Sequence, residues 1–136
     1  MRKNNKNLRK KLFAVGLSAS MLLSTVGVCF AKIVPDSYTY PNTGYTMEYS
    51  IGTTKVGTKS GAFGITCLSS GEDDVYAFVS IFSYKNGNCK NSASSQTSGY
   101  AKVTISGNGG NAYKSFHALK DSGYDPIGKN RSLTVK

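Results

Sequence analysis

The sequence predicts a small all-β domain, a conclusion that rests on three observations. Beyond residue 31, no stretch places apolar residues at helical spacing over three turns. Short runs in which apolar and polar residues alternate recur instead between clusters rich in Gly, Ser and Asn. Of the 15 glycines, 13 lie in this region together with all nine tyrosines, a composition typical of short strands and tight turns. We therefore expect six to eight antiparallel strands in a two-sheet sandwich, Ig-like or jelly-roll-like, with a small β-barrel as the alternative.

Residues 1–31 have the pattern of a secretory signal peptide rather than of the domain. The first 11 residues contain six Lys or Arg and no acidic residue, which keeps this end on the cytoplasmic side during export. An uncharged, mostly apolar run that we expect to be helical follows over 12–28, and Ala31 supplies the small residue that precedes a cleavage site. We expect cleavage between Ala31 and Lys32, which leaves a single extracellular domain over 32–136. A retained membrane anchor is the competing hypothesis, and the Gly and Ser residues within the run disfavour it.

Removal of residues 1–31, the leader, changes the net charge of the protein. The full chain carries a formal +10, but six of its 17 basic residues lie in the leader and all seven acidic residues lie beyond it. The exported domain therefore carries only +4, with 11 basic residues against seven acidic ones. This excess is too small and too dispersed for a nucleic-acid-binding protein. We expect a protein that is secreted or loosely attached to the cell surface, with no nucleic-acid partner and no stable membrane insertion after cleavage.

The strands are predicted in chain order from the alternating runs and the turns between them. The strongest candidates cover residues 45–51, 62–68, 75–84, 100–106, 112–119 and 132–135, and weaker ones cover 37–40 and 53–58. Pro, Gly, Asn and acidic residues mark turns at 41–44, 108–111 and 69–74, the last of which joins a predicted hairpin. The nearly continuous apolar run 75–82 predicts a central strand with both faces at least partly covered. Residues 85–98, rich in Asn, Ser and Lys, predict a long loop.

Two cysteines, Cys67 and Cys89, remain after the predicted cleavage. An even number of cysteines in an exported domain is typical of a disulfide, which here would close a loop of about 23 residues and contribute roughly 3 kcal/mol. A simple hairpin would place the two residues about 25 Å apart, so the bond requires the chain after Tyr84 to fold back or the two strands to lie in different sheets. The alternative is that Cys67 is a buried apolar residue on the strand face of Phe63 and Ile65. The sequence leaves both alternatives open.

No group of residues predicts catalysis, so we expect a non-enzymatic protein without a cofactor. His117 is the only histidine, and no motif places a nucleophile beside a base. This histidine shares a strand face with Tyr113 and Ser115, and we expect it at the surface or at an interface. The acidic residues at 72–74 and 121–125 match no calcium-loop spacing, so we interpret them as solvated turn residues and predict no metal.

Tyrosines on both sides of the turn at 41–44 are the candidate binding residues. Alternation places Tyr38 and Tyr40 on one arm of a hairpin and Tyr45 and Tyr49 on the other. Such a row can stack on sugar rings or line a protein contact. The alternative, which we prefer, is cross-strand packing in a domain that has no tryptophan and uses tyrosine as its bulky residue.

The leading functional hypothesis is a secreted β-domain that binds an envelope component, a polysaccharide or a protein partner. It rests on the export signal, the β pattern, the tyrosines and the lack of a catalytic motif. The lysine- and asparagine-rich leader suits a bacterial protein. The alternative is a secreted antimicrobial protein of the bacteriocin kind, which the small size, the net positive charge and the high Gly and Tyr content suggest.

Overall fold

The computed structural model describes residues 32–70 and 74–136, and these residues form eight β-strands. The predicted signal peptide, including Ala31, lies outside the described residues. In chain order the strands are β1 (Ile33–Thr39), β2 (Thr46–Val56), β3 (Lys59–Ser70), β4 (Tyr76–Lys85), β5 (Asn88–Ser98), β6 (Tyr100–Ser106), β7 (Ala112–Lys120) and β8 (Arg131–Val135). The predicted all-β class is confirmed.

The strands form two four-stranded sheets that pack face to face. Sheet A has the order β1-β2-β3-β6, and sheet B has the order β5-β4-β7-β8. Every neighbouring pair is antiparallel. The chain crosses from one sheet to the other after β3, after β5 and after β6. The predicted sandwich is thus what forms, because each sheet buries its apolar face against the other.

The core lies between the sheets and is built from alternate residues of the central strands. Met47 and Ile51 of β2 and Val79 and Ile81 of β4 are completely buried. Gly64 of β3 lets the two sheets approach closely, since a Cβ atom at this position would lie 2.8 Å from Cγ2 of Val79. Alternation of side chains along each strand therefore leaves every second residue of these strands facing outward.

The strand β5 corrects the prediction of a long loop over 85–98, which was wrong. Asn86 and Gly87 have positive φ angles of 52° and 79°, as a primed two-residue hairpin turn requires, and they join β4 directly to β5. Apolar periodicity is missing because β5 is an edge strand whose side chains are mostly exposed. The Asn-Gly dipeptide was the local signal for this hairpin.

A second correction concerns β3 and β4, which do not form the predicted hairpin but lie in opposite sheets. The hydroxyl of Thr66, next to Cys67, donates a hydrogen bond of 2.8 Å to the carbonyl oxygen of Phe78. Cys89 pairs with Tyr84, six residues further along β4, which corresponds to about 20 Å. Both thiols are therefore free, and the structure contains no disulfide between Cys67 and Cys89.

Candidate functional site

The four tyrosines predicted as binding residues lie in the core and at its rim. Tyr40 and Tyr49 are only 3% and 5% exposed. Tyr38 and Tyr45 are half-buried and pack against the same cluster. The ring centroids of Tyr38 and Tyr40 lie 5.0 Å apart in an edge-to-face arrangement. The Tyr38–Tyr40 contact joins neighbours on one arm, and across the strands Tyr38 pairs with Met47 and the Tyr40 hydroxyl contacts the sulfur of Met47 at 3.9 Å. Tyr40 and Tyr49 present no ring to a ligand.

Tyr49 also links β2 to β1 through a polar contact. Its hydroxyl donates a hydrogen bond of 2.8 Å to a carboxylate oxygen of Asp36. Burial, together with this carboxylate, raises the pKa of Tyr49 to about 12. Tyr49 therefore remains a neutral donor at physiological pH, and its contact with Asp36 is structural.

His117 is completely buried, so the prediction of a surface or interface position was wrong. Its Nδ1 atom lies 2.7 Å from the hydroxyl of Thr66 in the opposite sheet, and its Nε2 atom lies 2.6 Å from the hydroxyl of Ser115. The ring of Tyr49 covers it at a centroid distance of 4.9 Å. Alternation correctly placed His117 on one face with Tyr113 and Ser115, but it does not reveal that this face is the inner one.

The tautomer of His117 follows from its partners. The single hydroxyl proton of Thr66 is donated to Phe78, so Thr66 accepts from a protonated Nδ1 of His117. The Nε2 atom then accepts the proton of Ser115. Burial lowers the pKa of His117 to about 4, in agreement with a neutral ring. A serine beside a histidine resembles a nucleophile beside a base, but neither side chain is accessible to a substrate.

The two free cysteines occupy contrasting environments. Cys67 is buried on the outward side of β3, on the same face as Phe63 and Ile65, as one of the two alternatives expected. Burial, with a smaller contribution from Glu48, raises the pKa of the Cys67 thiol to about 11. Cys89 is exposed at the start of β5. Of the two thiols, only that of Cys89 is open to reagents in solution.

The acidic turn residues that follow β7 are held by backbone contacts. A carboxylate oxygen of Asp121 accepts hydrogen bonds from the backbone N–H groups of Gly123 and Asp125, at 2.9 and 3.0 Å. This is the local capping expected of a turn aspartate. Within residues 32–70 and 74–136, no three His, Cys, Asp or Glu side chains are grouped to hold a metal ion. The acidic residues at 72 and 73 lie outside the described residues.

The most extensive aromatic surface lies on the outward side of sheet B, where sequence analysis placed no site. We call it the aromatic face, and it consists of Tyr76, Phe78, Phe82 and Tyr84 of β4, Phe116 of β7 and Tyr124 of the following loop. Phe82 contacts Phe116 edge to face at 5.7 Å and stacks with Tyr84 at 6.3 Å. At the other end, Tyr76 contacts Tyr124 at 5.0 Å, and Tyr124 is 53% exposed. The row along β4 is about 27 Å long by the strand rise.

Two lysines of β7 lie above rings of the aromatic face. The ammonium of Lys120 is 4.2 Å from the ring centroid of Phe78, and that of Lys114 is 4.8 Å from the ring centroid of Phe116. Both distances are within the range of cation–π attraction. The aromatic face therefore carries positive charge at two points along its length.

Polar side chains border the aromatic face on both edges of sheet B. On β5, the exposed residues that pair with outward residues of β4 are Cys89, Ser92, Ser94, Gln96 and Ser98. On β8, the exposed outward residues that pair with β7 are Ser132 and Thr134. No outward-facing residue of these four strands is an Asp or a Glu. The rings thus lie between two rows of hydroxyl and amide groups, with lysine as the only charged residue type among them.

One run of the sequence indicates this surface, although by itself it predicted only a central strand with both faces partly covered. Residues 75–82 are apolar at almost every position, whereas a strand with one face in water alternates. In the structure the inward residues Val79 and Ile81 are buried, while the outward Phe78 and Phe82 are only half-buried. Apolar residues in excess of those that the core needs indicate a contact surface.

Comparisons of the chain with protein-family models, with curated proteins and with solved structures return no match. The described residues contain no helix that is long and apolar enough to cross a membrane. Fold and surface together define the class as a two-sheet antiparallel β-sandwich domain with an aromatic, lysine-bearing outer face.

Proposed function

We propose that this protein is a secreted, non-enzymatic binding domain that contacts a polysaccharide of the cell envelope through its aromatic face. The observation that carries the proposal is the row of half-buried rings on the outward side of β4 and β7, which has no role in the core between the sheets. A contiguous apolar patch of this kind marks an interaction surface in a soluble domain. Aromatic faces pack against the apolar faces of sugar rings as they do against other flat apolar groups.

The surroundings of the rings favour a glycan over a protein as the partner. A sugar chain presents hydroxyl groups along both edges of its rings, and the aromatic face is bordered on both sides by hydroxyl and amide side chains that hydrogen-bond to such groups. The centre of a protein interface is typically depleted in lysine, whereas Lys114 and Lys120 lie directly above rings of the aromatic face. The protein-partner hypothesis from the sequence is therefore the less favoured one.

The charge of the aromatic face indicates which kind of polysaccharide it binds. Lys114 and Lys120 supply positive charge, and no outward strand residue of sheet B supplies negative charge. Carboxylate- or phosphate-bearing glycans are complementary to such a surface. We expect binding to anionic polysaccharides to be stronger than binding to neutral ones and to weaken as salt is raised.

Affinity electrophoresis of the purified chain through gels that contain neutral or anionic polysaccharide tests the proposal. The double variant Phe82→Ser/Phe116→Ser removes two rings and is expected to weaken retention about tenfold or more. Lys114→Gln/Lys120→Gln is expected to weaken retention by the anionic polymer only. Val56→Ser is the matched control, since Val56 is 39% exposed at the end of β2, away from the aromatic face.

Thermal unfolding of each variant separates loss of binding from loss of folding. A folded ring variant that is retained as strongly as the unmodified chain would contradict the proposal. An equal loss of retention by the control variant Val56→Ser would also contradict the proposal. Growth inhibition of bacterial cells by the chain, without retention on any glycan, would favour the antimicrobial alternative.

A further inference from the structure

A concave feature lies at one end of the sandwich, away from the aromatic face. It is a cleft of about 520 Å³, within the range of small-molecule sites, bordered by the end of β2, the start of β3, the turn before β7 and the residues next to β1 and β8. Three lysines line it: Lys32, Lys55 and Lys136. No Asp or Glu lines it. We call it the lysine cleft.

The three lysines come from distant parts of the chain and meet only through the sheet topology. Lys32 immediately precedes β1, Lys55 lies near the end of β2, and Lys136 immediately follows β8. The backbone N–H of Thr53 donates a hydrogen bond of 2.9 Å to the carbonyl oxygen of Lys32, which ties two walls of the cleft together. Side-chain oxygens of Thr54 and Ser60 and the amide of Asn111 complete its polar lining.

The charge of the described domain is polarised toward this end. Six lysines lie at it, namely Lys32, Lys55, Lys59, Lys85, Lys90 and Lys136. Of the described acidic residues, Asp36 lies midway along β1, Glu48 lies toward the opposite end, and Asp74, Asp121 and Asp125 lie at the opposite end. A basic end without acidic side chains raises the local concentration of anions and attracts them over several ångströms.

Two hydroxyl groups in the lining have no hydrogen-bond partner among the described residues. They are Oγ1 of Thr53 and the phenolic oxygen of Tyr113, and Tyr113 is only 4% exposed. Buried hydroxyls without partners are uncommon in native structures. Both oxygens are themselves fully buried, so they lie behind the cleft lining, and a ligand would contact the lysines and the exposed polar groups of the cleft.

We propose that the lysine cleft binds an anion of the phosphate class, either a small phosphate compound or a phosphate group carried by a polymer. Phosphate groups supply several charges and several acceptor oxygens, which match three ammonium groups and a lining of hydroxyls. The lining contains lysine but no arginine, so it lacks the fork that binds planar carboxylates in bidentate fashion. This site is separate from the aromatic face and does not depend on the glycan proposal.

Titration of the full chain with pyrophosphate, followed by calorimetry and by backbone amide chemical shifts, tests this inference. Saturable binding is expected, with shifts concentrated at Thr53, Lys55 and Asn111. Lys55→Gln/Lys136→Gln is expected to weaken binding about tenfold or more, because two charged donors are lost. A phosphodiester polymer of the same phosphate concentration distinguishes the two sources, since tighter binding of the polymer assigns the site to a polymer-borne phosphate.

The matched control is Lys102→Gln/Lys129→Gln, which removes the same charge from exposed positions outside the cleft. The control is expected to bind pyrophosphate as the unmodified chain does. Equal weakening in both double variants would show attraction to net charge rather than a site and would overturn the inference. Absence of saturable binding by the folded, unmodified chain would overturn it as well.

Discussion

The hydroxyl of Ser115 lies 2.6 Å from Nε2 of His117, and both side chains are completely buried between the two sheets. The opposite nitrogen of the same ring contacts Thr66 of sheet A at 2.7 Å, so one neutral imidazole joins the two sheets. A histidine with both nitrogens paired in the core is expected to contribute to stability in one protonation state only.

Stability is therefore expected to depend on the charge of His117. Burial lowers its pKa from 6.5 to about 4, so the unfolded chain takes up a proton at a higher pH than the folded chain does. The free energy of unfolding is at its full value above pH 6.5 and falls by about 3 kcal/mol as the pH drops to 4. Urea unfolding of the chain between pH 8 and pH 4 measures this loss.

The variant His117→Gln is the comparison for that experiment. It is expected to be less stable at pH 8 and to show a shallower loss between pH 6.5 and pH 4, because it lacks the titrating group. The carboxylates titrate in both proteins, so their contribution cancels in the difference between the two free energies of unfolding. If the free energy of unfolding falls equally steeply with pH in the two proteins over this interval, His117 is not the group responsible for the loss of stability.

A larger residue at Gly64 is expected to destabilise the fold, because the two sheets meet there. A Cβ atom at this position lies 2.8 Å from Val79, a completely buried residue of the other sheet. Gly64→Ala is expected to destabilise the fold by about 1–3 kcal/mol through overpacking. Gly123→Ala is the control, since it lies in an exposed turn next to the Asp121 side chain and is expected to change the midpoint of unfolding little.

The thiols are expected to differ in reactivity. Cys89 is exposed, whereas Cys67 is buried and its pKa is raised to about 11. In the chain with Cys29→Ser, a thiol reagent is expected to modify one cysteine in native buffer and a second only after unfolding. Adding Cys89→Ser should abolish the native reaction. Failure of both cysteines to react after unfolding without reductant would instead indicate a disulfide.

Tyr113→Phe is expected to leave stability unchanged or to raise it slightly. The hydroxyl of Tyr113 is buried and has no partner among the described residues, so its removal breaks no hydrogen bond and relieves a desolvated polar group. Thermal unfolding of the two proteins side by side measures the difference. A marked loss of stability would mean that the hydroxyl has a partner, such as an ordered water, within the folded protein.

The strands with a clear alternating pattern were predictable, and the polar edge strand was not. Alternation in 100–106 and 112–119 reports directly on a sheet with two different faces, so these strands appear close to their predicted bounds. In β5 the apolar signal is absent because few of its side chains enter the core. Only the Asn86-Gly87 turn indicated it, since positive φ at both positions favours these two residues.

The location of the candidate sites could not be predicted from the alternation of residues along a strand. Alternation grouped Tyr38 with Tyr40, and His117 with Ser115, but it could not assign either group to the inner or the outer face. Tyr49 and His117 face inward because their sheets close on each other, while Phe78 and Phe82 face outward on the same strand as buried Val79. The lysine cleft required the ends of β1, β2 and β8 to meet, which no local pattern encodes.

The all-β class, a number of strands within the predicted range and the grouping of residues on common strand faces followed from local sequence alone. These features were predictable because side chains alternate along a strand with a period of two and because turns need particular residues. Tertiary contacts establish which strands share a sheet, the separation of Cys67 and Cys89, the burial of His117, and the presence of the aromatic face and the lysine cleft. These features arise from contacts between residues distant in the chain, and those contacts form only when two sheets bury their apolar faces against each other.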